Sequence, residues 1–437
     1  MFRTFSTTRR QSARLQSARS TVASLALALA LTGGLAIGSI AVTSDAAQAQ
    51  RNRGNSASQN SRGFAQAYQP VAAMVQPETA NFEGARAALP GLIAAIENEH
   101  DRMAAGNLVL NVANHFSDPV MQRQGLEMML QSGLVAPEQV GQFHWFVGSL
   151  AFQAEDYGAA RTAMQAAIDA GFSDPTVDLV GLIAETFSRQ DNSRGAFDYV
   201  MGQQRTAEAA GGTLPENTLL SVLQDTYDNE MGAQAIEVAG TLLSHYPTQR
   251  NWENSLRIVN QLYELEPAAR VDLFRLMRLN DAIVDRSEYV RYIEDLDPRL
   301  MSNEVETVLA HGLAAGVFTQ TDPYYVEVKG IADTRAPGDR NGADRMVAEA
   351  RSGDAIDAQG AGDVLYSLGE FAQAEEMYRL ALTKGADANL ANTRIGIAQA
   401  EQHNYAGALE SFGQVTGNRA PVARMWIAYC QHQLAGA

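Results

Sequence analysis

The sequence predicts an all-α protein, an α-solenoid of stacked helix–turn–helix repeats, and three observations carry that prediction. Residues 355 to 437 repeat themselves at an offset of 34: Gly362 recurs as Gly396, Phe371 as Tyr405, Ala374 as Ala408 and Tyr378 as Phe412. From about residue 82 onward apolar residues recur at helical spacing, with no convincing strand alternation. Prolines follow N-cap residues at Ser117-Asp118-Pro119, Ser173-Asp174-Pro175 and Asp322-Pro323, where they start helices rather than break them. Ala136-Pro137-Glu138, Leu214-Pro215-Glu216 and Asp297-Pro298 read as starts of the same sort. A repeat of this length implies roughly twenty helices in about ten hairpins.

Each repeated position has a packing reason. Gly362 and Ala374 belong where the two helices of a hairpin touch, because a larger side chain would hold the backbones apart. Tyr378 and Phe412 suit the groove between hairpins, where a ring removes much apolar area from water. Gly369 ends a helix in the left-handed conformation, and Asn404 is expected to do so one repeat later. A third copy begins at Ala423, with Trp426 in its fourth slot and Cys430 where the two glycines stood. These residues resemble tetratricopeptide repeats (TPR). The departures are Leu365 and Gln399 at the usual tyrosine of the first helix, and Ala386 and Ala420 at the closing proline. An earlier copy spans residues 141 to 174, with Gly148, Tyr157, Ala160 and Ala167 in register and Met164 in the groove slot. A further one shows in Ala235, Ala239, Leu242 and Pro247.

The chain of 437 residues carries a formal charge of −17 with 46% apolar residues, so it can bury a core. Such acidity disfavours nucleic acid and anionic membrane surfaces as partners. Lys329 and Lys384 are its only lysines, and Cys430 its only cysteine, which excludes an intrachain disulfide and a cysteine-based metal cluster.

Residues 1–49 read as a signal peptide: Arg3, Arg9, Arg10, Arg14 and Arg19, an apolar run over 21–42, then Ala47-Gln48-Ala49 before Gln50. Export to a periplasm is the expectation, with an uncleaved membrane-spanning run the alternative. Residues 50–81 read as a disordered spacer and 82–318 as degenerate TPR-like helical repeats. No repeat register holds between about 250 and 318. Pro323, Gly330, Pro337, Gly338 and Gly342 mark 319–345 as an irregular connection, before repeats and a capping helix over 346–437.

The residues give catalysis no support. The seven histidines are dispersed and no His-Glu-x-x-His occurs. Glu97, Glu99, His100 and Asp101 cluster as a solvated helix end would. Asp339, Asn341 and Asp344 surround Gly342 without the spacing of a calcium loop and read as turn residues. Glu410-Ser411 resembles the catalytic dipeptide of lytic transglycosylases, but the later glycine-leucine-methionine-glutamine stretch of that family is absent. Ser149 lacks a Gly-x-Ser-x-Gly turn, and no glycine-rich phosphate loop occurs. No catalytic residue, metal ligand or cofactor is expected.

The TPR resemblance implies that the first helix of each hairpin lines a concave face. Carried slot by slot, it points to Trp145, Ser149, Phe152 and Gln153 early in the chain. Late in the chain it points to Asp363, Tyr366, Thr393, Ile397 and Glu401, with Arg424 and Ile427 from the last helix. Trp145 and Phe152 lie seven apart on one stripe and suit anchoring of an apolar partner segment; aromatic stripes at this spacing also serve as core. The expected function is a non-catalytic scaffold that binds a protein or peptide segment. Two alternatives stand beside it: a peptidoglycan enzyme or its helical arm, and a carrier of an apolar ligand.

Overall fold

The computed structural model describes residues 59–435; the segment read as a signal peptide lies outside them. Within the described residues the fold is all-α, twenty helices and one 3-10 turn, with consecutive helices paired as antiparallel neighbours. The early pairs are α1 Arg62–Met74 with α2 Phe82–Ala94, and α3 Glu99–Phe116 with α4 Pro119–Gln131. They are followed by α5 Pro137–Gln153 with α6 Tyr157–Asp169, and α7 Leu179–Ser188 with α8 Ser193–Ala209. Next come α9 Glu216–Asp228 with α10 Gly232–His245, then α11 Gln249–Leu262, α12 Pro267–Leu279, α13 Arg286–Leu296 and α14 Ser302–Ala314. The last part holds α15 Pro323–Ser352, α16 Ala355–Ser367 with α17 Phe371–Thr383, and α18 Ala388–Glu401 with α19 Tyr405–Gly413. A 3-10 turn, Gly417–Arg419, leads into α20 Ala420–Ala435.

The small slots do what the repeat requires. A Cβ on Gly362 would lie 2.6 Å from the Tyr378 ring, and one on Gly396 would lie 2.7 Å from the Phe412 ring. In the early copy, Gly148 sits against Met164, whose Cγ would be 2.7 Å from an added Cβ. Ala160, Ala374 and Ala408 have no exposed surface. The left-handed residue after the first helix is Glu155, Gly369 and His403 in the three copies. Asn404, expected to take that conformation, instead caps α19 by accepting the Gly407 N–H.

Proline starts α4, α5, α12 and α15, with Asp118 and Asp322 capping two of them. Two expected starts are corrected. Near Pro175 the helix begins only at Leu179, capped by Asp178, and near Pro298 it begins only at Ser302.

The expected spacer over 50–81 is corrected as well. Residues 62–74 form α1, because Phe64 and Val71, seven apart, reach the core of α2 and α3 and are fully buried there. Asp101 fixes that junction. It is buried, not solvated, and its two oxygens accept the Ser61 and Glu97 N–H groups at 2.9 and 3.0 Å. Burial pushes its carboxyl pKa up, but those backbone bonds outweigh it and hold the group below the ordinary value.

The irregular connection over 319–345 is also absent. α15 runs unbroken through Pro337, Gly338 and Gly342, and carries Asp339, Asn341 and Asp344 on a helix. Tyr325, Val328, Ala332 and Ala336 give it a buried stripe that overrides the local cost of proline and glycine.

Candidate functional site

The expected concave slots separate into two groups with different fates. Tyr366, Thr393 and Ile397 are 4%, 0% and 0% exposed. What covers them is the chain itself: α16, α18 and α20 pack against α14, α12 and α10. Tyr366 and Ile397 belong to one apolar core that runs from Ala184 to Cys430. The late inner face is therefore closed to a partner segment.

A buried charge network lies at that closure. α12 presents Asp272 and Arg275, both buried within the apolar run 271–277. Asp272 accepts from Arg275 Nη1 at 3.1 Å and from Arg419 Nη1 at 2.7 Å, with Arg394 Nε at 3.8 Å. Arg275 also forks onto Glu304, with Nε to Oε1 at 2.9 Å and Nη2 to Oε2 at 2.7 Å. The Arg275 guanidinium lies 3.9 Å from the centre of the Tyr366 ring. Arg419 reaches Glu266 at 2.7 Å, and the Trp426 indole N–H donates to the Asp272 carbonyl at 3.0 Å. Burial would raise the Glu304 pKa, but the Arg275 charge and hydrogen bonds, with the Tyr292 hydroxyl, hold it below the usual value. Charges in such a place are tolerated only when paired and hydrogen-bonded. An apolar contact could slide, whereas the Asp272 carboxylate and the Arg275–Glu304 fork find these partners at one register of α12 against α14, α18 and α20.

The other late slots sit at the edges of the closure. Asp363 accepts from the Tyr378 hydroxyl at 2.9 Å and also pairs with Arg394. Glu401 accepts from the Tyr366 hydroxyl at 2.9 Å, with Arg278 3.7 Å away. Arg424 is exposed along α10, its Nε 3.2 Å from where a Cβ on Gly240 would lie. Ile427 is half-buried.

The early slots remain at the surface. Trp145 is half-buried and stacked on Phe172 at 6.1 Å between ring centres. Phe152 meets Tyr157 edge-on at 5.7 Å and takes the Arg189 guanidinium at 5.2 Å. Ser149 is half-buried and Gln153 exposed, with 3.5 Å between their polar atoms. The four residues share one partly open face of α5, and both aromatics are half-buried against the core of the neighbouring hairpins.

Sequence reasoning missed Asp272, Arg275, Arg394 and Arg419. A signal was present for the first two, which are charges set inside an otherwise apolar run. Arg394 and Arg419 carried none, because their partner Asp272 lies more than a hundred positions away.

One constellation has the composition of a catalytic relay. Tyr289 Oη lies 2.7 Å from His311 Nδ1, and His311 Nε2 lies 3.1 Å from Asp281 Oδ1. A relay needs a buried carboxylate and an open nucleophile. Here the order is reversed: Tyr289 is fully buried and the Asp281 side chain is 78% exposed. Burial, with Asp281 and Glu288 nearby, pushes the Tyr289 hydroxyl up to about 12. Glu410 faces water on α19, and burial pushes the Cys430 thiol up to about 12. Among the described residues no group of His, Cys, Asp and Glu is arranged to hold a metal ion, and no helix is long and apolar enough to cross a membrane.

No protein-family model matches this sequence, and no curated protein matches it. Among solved structures, the Naa15/Naa10 complex bound to HypK-THB aligns at a TM-score of 0.36 and 14% identity, over 83% of this chain. This chain covers 61% of the length of that one. A tetratricopeptide repeat protein from Parabacteroides merdae ATCC 43184 aligns at a TM-score of 0.23 and 13% identity, over 67% of this chain and 99% of that one. Likenesses at these scores bear no functional weight.

Proposed function

We propose that this protein is a non-catalytic binding scaffold whose amino-terminal hairpins hold a protein or peptide segment across the open face of α5. The carboxy-terminal hairpins act as a self-locked block. One observation carries the reading. Of the two sets of slots that line a groove in TPR-like hairpins, the centre of the late set, Tyr366, Thr393 and Ile397, is sealed by the chain's own helices, while Trp145, Ser149, Phe152 and Gln153 keep a partly open aromatic face. A half-buried aromatic already held by its neighbours loses little conformational freedom on binding, which suits it as an anchor. The arginine-rich start and following apolar run support export to a periplasm as part of the same proposal.

The test uses a photo-crosslinking residue at exposed Gln153 and, as a control, at exposed Gln373 on α17. The proposal expects one discrete adduct from position 153 in living cells and none from 373. It also expects the 153 adduct to vanish when Ser149→Arg places a long charged side chain on the same face. Equal adducts from both positions, or none from 153, would remove the basis for a binding face on α5.

A further inference from the structure

Where α16 and α18 come against α14 and α15, the closure leaves a cavity of about 510 Å³ with a wide mouth to solvent. It is the part of the late inner face that the chain does not fill, and the expected slot residues Tyr366 and Glu401 stand in its wall. That volume lies in the lower half of the range for small-ligand clefts, about 300–1,000 Å³. It is far too small for a folded partner or a helix.

The wall is charged in both senses. Arg278 and Arg340 face the same space as Glu304, Glu306 and Glu401. Glu304 is already matched by Arg275 behind it, and Glu401 accepts from the Tyr366 hydroxyl with Arg278 3.7 Å away, so a ligand meets this looser Arg278–Glu401 pair together with Arg340 and Glu306. Glu306 stands beside Asp333, an acid next to an acid, and Arg340 Nη2 donates to Asn303 Oδ1 at 2.9 Å. Neither a simple anion nor a simple cation suits such a wall, because each would meet like charge within the cavity.

A second observation is independent of charge. Three of the lining residues each hold a buried polar atom without a hydrogen-bond partner among the described residues: Arg278 Nε, Asn303 Nδ2 and Ser367 Oγ. Asn303 is 95% buried (5% exposed). Buried donors left unpaired are rare, and their collection around one cavity marks a wall arranged for something it does not yet touch. A hydroxyl rotor and a side-chain amide can turn toward a ligand with little other movement.

We propose that this cavity binds a small zwitterion of amino-acid or dipeptide size, carrying one carboxylate and one ammonium group. The carboxylate accepts from the guanidinium, amide and hydroxyl donors, and the ammonium is taken by Glu306 and Glu401. This site is separate from the open face of α5, so the two proposals stand or fall independently.

The experiment is calorimetric titration of the full chain with glycylglycine, N-acetylglycylglycine and glycylglycinamide. The free dipeptide is expected to bind, and each blocked form to bind at least about tenfold more weakly for loss of one charge-assisted contact. Tight binding of the acetylated form alone would mean that the site takes the carboxyl end of a longer peptide, and would overturn the zwitterion. Glu306→Gln and Arg340→Gln lie at half-buried and exposed positions; each is expected to weaken glycylglycine by about tenfold, while Arg205→Gln, at a different cavity, leaves it unchanged. No heat with any of the three, or binding indifferent to both wall variants, would show a cavity filled by water only and end the proposal.

Discussion

At the scale of single residues, the repeat is a matter of where a side chain cannot be. Gly362 and Gly396 lie 34 residues apart and face equivalent rings, Tyr378 and Phe412, at distances that leave no room for a methyl group. Gly362→Ala and Gly396→Ala should therefore each destabilise by about 1–3 kcal/mol, since an overpacked core must shift rings or backbone. Gly360, two residues from the first, has open space where its Cβ would be. Gly360→Ala should leave stability unchanged or raise it by up to about 1 kcal/mol through helix propensity. Urea unfolding of the three variants separates the cases; equal effects at 360 and 362 would mean that the repeat packs differently. These slots were legible in the sequence because smallness at a fixed interval has one economical explanation. The left-handed turn residue was legible only at Gly369, because Glu155 and His403 adopt the same conformation with no compositional sign.

At the scale of elements, local preference misleads where tertiary burial decides. Pro337, Gly338 and Gly342 announce a loop, yet the four-residue rhythm of Val328, Ala332 and Ala336 keeps α15 helical through them. The two descriptions give opposite signs for one substitution. In a continuous helix, Pro337→Ala restores a backbone hydrogen bond to the Asp333 carbonyl and should stabilise by about 1–3 kcal/mol. In a loop the same change would free the unfolded chain and cost about 0.4–1 kcal/mol. Denaturant midpoints at constant slope read the sign directly. α1 was missed for a related reason. Its sequence is mostly polar and small, and two buried anchors, Phe64 and Val71, are enough to dock it once Asp101 holds its start. Weak periodicity with a few anchors looks like a spacer until the surface that receives it is known.

At the scale of the described residues as a whole, the controlling feature is a contact between parts far apart in sequence. The late hairpins turn their inner faces onto α10, α12 and α14, and the Asp272 network sets the register of that contact. Repeat patterning told which residues line the inner face but not that the chain would occupy it, because a periodic signal describes neighbours and is silent about distant partners. Asp272 and Arg275 were visible as misplaced charges, and only the fold shows them to be each other's solution together with Glu304, Arg394 and Arg419. The closure also divides the possible work of the protein. A long partner segment has no access to the buried centre of the late inner face, and the two proposals accordingly assign a macromolecule to the face of α5 and a small ligand to the charged cavity.

That closure is open to a direct distance measurement. Ser244 on α10 and Gln431 on α20 stand with their side-chain oxygens 3.4 Å apart across 187 positions of sequence. Cysteines placed there can be spin-labelled selectively, because the native Cys430 is buried with its thiol pushed up to about 12. Helices packed side by side have axes about 8–10 Å apart, so the two labels should show strong dipolar broadening in the native protein, lost on unfolding in urea. Sharp, unbroadened lines under native conditions, as from labels several helix diameters apart, would mean that the late hairpins stand free of α10 and that their inner face is open after all.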